Sequence, residues 1–398
     1  MINRRTLLAT GAAAALIRPR PLLAQTTGVT PVFINWNPWY QGSAVVTRMY
    51  PNVLSKPQYQ FRAPWFCAIK GTERIFCQGT QATMDLEIQA AANAGIKAWA
   101  WNWYGADAAG GGDSFNPDLQ AGWAMYNSSS IKAQVKWCGF PFMRDFGSKP
   151  WSNTAAWQAN CNLWVSYFQQ ANYLKVGGRP VLFVFWSDAS VASHFGGSNA
   201  NVTTSFNYLR SQSSAAGAGD PYIVSIGSPY GAGLYSWQAA PIMSAVAVSN
   251  YAPRTTPAYG LPSTFANLNT KTSEGWDALS TGATANGLKV VPNAIMGWDI
   301  RPIVELPPIG AGYTPYVGHT NYYARGTNVE IANHLQATIN YIGAHQPQCD
   351  SKLMLVYAWN ECAEGGTTGI PTIGDPPTGT PPTTAMLSAI KPVLTAAA

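Results

Sequence analysis

Charge is what this chain has least of. Charged residues make up 11% of its 398 positions, against roughly 25% in ordinary domains. With only 18 acidic residues in all, two carboxylates set close together call for a reason, because burying one costs several kcal/mol unless it is paired or hydrogen-bonded. Histidine is just as sparse. His194, His319, His334 and His345 are scattered and no Cys-x-x-Cys pair accompanies them, so neither a metal site nor any other cofactor is expected. No Gly-x-Ser-x-Gly accompanies His194, which leaves Ser-His-Asp hydrolysis unsupported. The net charge of +6 gives no basic surface either. Arg4, Arg5, Arg18 and Arg20 fall in the first 25 residues, and without them 20 basic residues face 18 acidic ones. Nucleic-acid binding therefore has no electrostatic footprint.

Those first residues read as an export signal. The Arg4-Arg5 pair precedes an Ala/Leu-rich run to Ile17, a run short of the roughly 20 residues of a membrane span. Residues 1–25 are taken as a twin-arginine-type signal peptide, with Leu22-Leu23-Ala24 as the cleavage region. An uncleaved anchor is the alternative. No other segment is long and apolar enough to span a bilayer, so a periplasmic or secreted protein is expected, with no membrane association after signal removal. Six cysteines in an exported chain are compatible with disulfides. Cys67 and Cys77 could close a loop; Cys138 with Cys161, and Cys349 with Cys362, are further pairings to test.

What the chain has in quantity is apolar and aromatic surface: 47% hydrophobic residues, 16 Trp and 19 Tyr. Such rings suit flat sugar-binding surfaces, and they also fill cores. Short apolar runs begin near Pro31, Lys97, Ile131, Arg179, Tyr222, Ala245, Lys289 and Lys352. Helical stretches are expected over Thr83–Gly95, with Thr83 as its cap, and over Thr154–Tyr173 and Asn201–Ala215. Others are expected over 234–243, Ser263–Thr281, Asn328–Ala344 and Thr384–Leu394. Eight strands alternating with helices predict a parallel sheet with helical crossovers, hence a single-domain α/β (β/α)₈ TIM barrel over residues 26–398. A doubly wound open sheet is the competitor, but no Gly-rich phosphate loop follows the first strand. Pro292 interrupts the seventh strand, expected over Lys289–Asp299.

The strand ends share a character. They run into Trp36-Asn37-Trp39-Tyr40, Trp101-Asn102-Trp103-Tyr104, Trp186-Ser187-Asp188, Asn250-Tyr251, Trp298-Asp299 and Asn360-Glu361. In parallel α/β folds the carboxyl ends of strands build the active site, so these clusters should meet on one rim. The last strand carries the chemistry. After the uncharged run Leu353–Trp359 come Asn360, Glu361 and Glu364, then Gly365-Gly366. On strand alternation Leu353, Leu355, Tyr357, Trp359 and Glu361 share a face, and a turn after Glu361 could bring Glu364 beside it. Close carboxylates push their pKa values apart, so that one can serve as an acid while the other stays ionised. Glu361 and Glu364 are the catalytic candidates. Trp39, Tyr40, Trp101, Asn102, Trp103, Tyr104, Trp186, Tyr251, Trp298, Asp299 and Asn360 are the substrate-binding candidates, each also open to a packing or rim role. Asp299 could equally be a capping or buried hydrogen-bonding group.

The segment Ala358–Gly365 resembles the Trp-Asn-Glu-x-x-Glu-Gly signature of glycoside hydrolase family 99-like proteins, including the WbsX-like group. Asn35–Tyr40, Glu87–Tyr104, Tyr173–Leu182 and Gly297-Trp298-Asp299 are similar to further family segments in the same order. The resemblance implies a (β/α)₈ barrel acting on glycosidic bonds, with retaining, endo-acting chemistry. It gives Glu361 the role of a base on the sugar's own 2-hydroxyl, and Glu364 that of acid/base at the departing oxygen. Characterised enzymes of that family are endo-α-mannosidases, but Cys362-Ala363 replaces bulkier residues of many relatives, so the resemblance leaves mannose specificity open; Thr367–Pro371 also differs from the usual acidic continuation. The expectation is an exported glycoside hydrolase acting on a poly- or oligosaccharide. The alternatives are a non-catalytic carbohydrate-binding protein on the same barrel and a WbsX-like glycan-assembly enzyme.

Overall fold

The computed structural model describes residues 28–36, 39–40, 53–70, 74–103, 121–142, 154–186, 195, 197–227, 235–251, 262–306 and 321–397. The leader, residues 1–25, lies outside them. The strands are β1 Thr30–Asn35, β2 Cys67–Lys70, β3 Arg74–Cys77, β4 Ala98–Trp103, β5 Lys136–Pro141 and β6 Lys175–Val176. Then come β7 Arg179–Trp186, β8 Tyr222–Gly227, β9 Ala247–Asn250, β10 Lys289–Val290, β11 Asn293–Ile295 and β12 Leu353–Tyr357. The helices are α1 Pro57–Gln60, α2 Gln81–Asn93, α3 Ala121–Ser128, α4 Thr154–Phe168 and α5 Asn199–Ala215, followed by α6 Ser236–Ala239, α7 Phe265–Ala285, α8 Arg301–Glu305, α9 Asn328–Ala344 and α10 Ala385–Ala397.

The sheet closes on itself, and Pro292 explains how. β10 pairs with β9, and β11 pairs with β12, both in parallel. The two short strands are halves of one strand interrupted at Val291-Pro292, where proline has no amide hydrogen to donate. The interruption still carries the ladder: Val291 N–H donates to Val248 (2.9 Å), and the Pro292 carbonyl accepts from Leu355 (3.0 Å). The ring therefore runs β1, β4, β5, β7, β8, β9, β10/β11, β12 and back to β1, parallel throughout. This is the (β/α)₈ barrel. Its strands are apolar on both faces because helices cover the outside and side chains fill the inside.

Several elements differ from their sequence expectation. Helix α2 is capped by Thr80, whose hydroxyl accepts from Thr83 N–H (3.4 Å); the expected cap, Thr83, is already inside it. Helix α4 stops at Phe168, ahead of the turn closed by Tyr173 N–H on the Gln170 carbonyl. Residues Lys132–Gln134 form a 3₁₀ turn, so the strand expected from 131 begins at Lys136. Helix α3 and the β2–β3 hairpin were not anticipated. The hairpin sets Cys67 opposite Cys77, and a disulfide joins them. The other pairings do not form: Cys138, Cys161, Cys349 and Cys362 are free and buried. Cys349 and Cys362 lie before and beyond β12, and a five-residue strand holds its end residues apart by about 13 Å. Among the described residues no helix is long and apolar enough to cross a membrane.

Candidate active site

The strand β12 ends at Tyr357, and the alternation of faces ends with it. Trp359 turns outward, where its indole N–H donates to Glu87 Oε2 of α2 (2.6 Å). The chain then folds back over the barrel. Cys362 N–H donates to the Asn360 carbonyl (2.8 Å), and Glu364 and Gly365 N–H both donate to the Glu361 carbonyl (3.2 and 2.7 Å). This tight turn brings the carboxylates three residues apart to one place, Glu361 4% and Glu364 7% exposed.

Glu361 sits over the barrel axis. Its Oε1 accepts from Asn102 Nδ2 at the end of β4 (3.3 Å) and from the Tyr251 hydroxyl just beyond β9 (3.2 Å). Those two strands stand on opposite sides of the ring. A side chain that reaches both, from the carboxyl end of a third strand, lies at the centre of the carboxyl-terminal mouth. Glu364 accepts from the Tyr357 hydroxyl (2.9 Å), so the pair is ringed by phenol and amide donors. Burial first, and then the charge of Glu364, pushes the Glu361 carboxyl well above the usual carboxylate range; the bonds from Tyr251 and Asn102 pull it back in part. The pair thus holds a proton to higher pH than two free carboxylates would. Beside it the Tyr251 ring meets Phe140 (5.8 Å), Phe142 (5.8 Å), Phe185 (5.0 Å) and Tyr357 (5.0 Å), making an aromatic wall.

Of the expected binding residues, Asn102 and Tyr251 reach the pair directly. Asn360 secures the turn: its Oδ1 accepts from Trp36 N–H (2.7 Å), its Nδ2 donates to Asn35 (2.8 Å), and its carbonyl accepts from Trp39 Nε1 (3.1 Å). Trp298 packs on Tyr357 at 5.4 Å. The other candidates in view lie elsewhere. Trp101 and Trp103 alternate with Asn102 and face the helices, against Tyr126, Trp123 and Tyr167. Tyr40 is buried on the same side, its hydroxyl donating to Glu87. The Asp299 carboxylate is taken up by Arg62 and Arg301. Tyr104 lies outside the described residues, as does the Trp186 side chain.

Tyr357, the Phe140–Phe142–Phe185 wall and Glu87 were not among the site candidates. Glu87 had a legible signal: it lies between Met84, Ile88 and Ala91 on the buried face of α2. Burial raises it to about 7, even though Trp359 and Tyr40 both donate to it. Among the described residues no group of three or more His, Cys, Asp and Glu could hold a metal ion. His334 is buried, with Nε2 accepting from Ile295 N–H (3.2 Å).

No family model and no curated protein sequence matches the chain. Solved structures do. A glycoside hydrolase-like protein superposes with a TM-score of 0.60 at 13% identity, over 96% of this chain and 97% of that one. A family 99 endo-α-mannosidase from Bacteroides thetaiotaomicron, solved with bis-tris-propane, superposes with a TM-score of 0.51 at 13% identity, over 93% of this chain and 97% of that one. At such identity the likeness is one of fold, a (β/α)₈ barrel.

Proposed function

We propose that the chain is an exported glycoside hydrolase that cleaves a poly- or oligosaccharide with Glu361 and Glu364. The observation that carries this reading is the pair itself: two buried carboxylates in one tight turn, one held over the barrel axis by donors from opposite strands. Stability alone gives no reason for such an arrangement, since each buried carboxylate costs free energy. Glycoside cleavage does, since it needs one protonated and one ionised carboxyl within reach of the same bond. Export is supported by the Arg4-Arg5 leader and the Cys67–Cys77 disulfide.

The resemblance to family 99-like proteins assigns the roles. Glu364 protonates the departing oxygen while Glu361 takes the proton of the sugar's 2-hydroxyl, whose oxygen attacks the anomeric carbon with inversion to give a 1,2-anhydro sugar. Water, deprotonated by Glu364, then opens that ring at the anomeric carbon with a second inversion, and Glu361 returns its proton to the 2-oxygen, so the configuration is retained overall. The same resemblance favours endo action. Tyr251 and Asn102 keep Glu361 aimed, and the aromatic wall beside Tyr251 presents a face to the sugar ring. To serve as base, Glu361 must release a proton that burial favours. The acidic limb of kcat/KM should therefore fall well above the usual carboxylate range.

The test is release of reducing ends from a panel of bacterial and plant polysaccharides, with product anomers followed by NMR. Glu364→Gln and Glu361→Gln should each lose about 10²–10⁴-fold in kcat while still binding glycan. An aryl glycoside with a good leaving group should restore turnover to Glu364→Gln and not to Glu361→Gln. Wild-type protein that binds oligosaccharide yet releases no reducing ends from any of them would instead make the barrel a binding module.

A further inference from the structure

Asp299 lies where the seventh strand unit leaves the barrel, and it is fixed from four directions. Its carboxylate accepts from Arg301 Nε (2.8 Å), Arg301 Nη2 (2.7 Å), the Arg301 backbone N–H (3.2 Å) and Arg62 Nη2. Its carbonyl accepts from Arg62 Nη1 (3.1 Å). Arg301 is itself held by the Tyr322 ring, 3.3 Å beneath its guanidinium. A carboxylate so fully engaged has little left for a sugar hydroxyl. The backbone N–H of Asp299, however, donates to the carbonyl of Glu364 (2.6 Å). Around that bond the two segments touch without side chains between them. A Cβ on Gly297 would overlap the Gly365 carbonyl oxygen, and one on Gly366 would stand 3.2 Å from Asp299 Cβ. The turn bearing Glu364 is thus laid directly on residues 297–299, and those residues are immobilised by the two arginines.

We infer that Asp299, clamped by Arg62 and Arg301, is a positioning residue that fixes the Glu364 carboxyl through the Glu364 backbone. The inference rests on the reading of Glu364 as the acid/base, but its test has a readout that needs no turnover. The chain has seven glutamates, few enough for [13Cδ]Glu labelling to resolve each carboxyl. In Asp299→Asn the Glu364 resonance and its titration should move while Glu274 and Glu330, far out on helices, stay unchanged. kcat should fall by about tenfold to a hundredfold, as expected when a catalytic group is displaced by roughly an ångström, with KM within about threefold. Arg301→Gln should give a smaller change of the same kind, and Arg301→Lys should recover part of it. Should Asp299→Asn fail to fold, Arg301→Gln carries the test, because it leaves the Arg62–Asp299 pair in place. An unmoved Glu364 resonance in folded variants would overturn the inference even if the wild type proves a hydrolase. A raised KM with kcat kept would also overturn it, by making Asp299 a sugar contact. A moved resonance in a protein that hydrolyses nothing would uphold the positioning and defeat the proposed function instead.

Discussion

Glu361 is the residue on which the proposed chemistry rests, and its surroundings allow the direction of each change to be worked out. The Tyr251 hydroxyl bonds to it and lowers its pKa. Tyr251→Phe removes that bond, so Glu361 should hold its proton to higher pH and the acidic limb of kcat/KM should move up by about one to two units, a hydrogen bond to a charged group being worth about 1.5–3 kcal/mol. A limb that stays in place would remove Tyr251 from the account. Residues of this kind were legible to different degrees. Glu361 and Glu364 stood out because acids are scarce and these two follow an uncharged strand. Asn102 and Tyr251 stood out as polar groups at strand ends. Tyr357 was hidden inside an apolar run, where nothing marks its hydroxyl as facing a carboxylate. Trp101 and Trp103 were candidates by their place at a strand end, and composition does not tell which face of a strand a ring occupies; both pack toward the helices.

At the scale of elements, capping chemistry and close backbone approach decide what a substitution does. Thr80 accepts from Thr83 N–H at the start of α2. Thr80→Ala should therefore cost about 1 kcal/mol in urea unfolding, as cap removal does, and Thr83→Ala should cost less; the reverse order would restore Thr83 as the cap. Gly297 packs against the Gly365 carbonyl with no room for a methyl group. Gly297→Ala should cost about 1–3 kcal/mol through overpacking and should damage activity more than stability, because the atoms that must shift carry Glu364. Unchanged turnover in that variant would mean the turn tolerates displacement. Helix α9 spans the residues expected for it because Thr327 and Glu330 form a reciprocal capping box ahead of an apolar face. The turn after Tyr357 was not legible in detail: alternation placed Trp359 with Glu361, whereas Trp359 follows its hydrogen bond to Glu87 outward.

The whole molecule is a ring closed through an imperfect strand. The alternation of strands and helices pointed to eight units, and Pro292 looked like a weakness in the seventh. The backbone on either side of that proline serves both neighbours, β9 through β10 and β12 through β11. Closure is also what lets Glu361 reach donors on opposite strands, a relation that no local pattern contains. Stability should depend on pH in both directions. His334 is lowered to about 4 by burial, so the unfolded chain binds its proton first and stability is lost as pH falls from about 6.5 toward 4. Glu87 is raised to about 7 by burial, so its contribution is fully present below about 4.5 and is lost as pH rises through 7, and Glu361, raised well above the usual carboxylate range, adds to the same arm. Urea unfolding from pH 4 to 8 should show a maximum in the mildly acidic range, and Glu87→Gln should flatten its upper arm. An upper arm equally steep in Glu87→Gln would assign it to other groups.

The most direct measurement of the central claim is the titration of the Glu361 carboxyl in [13Cδ]Glu-labelled protein, wild type against Glu364→Gln. A paired site gives a midpoint well above the usual carboxylate range in the wild type, and a downward shift once the charge of Glu364 is gone. A Glu361 that titrates near 4.5 and ignores the loss of Glu364 would show two independent, solvated acids, and the paired catalytic site would not exist.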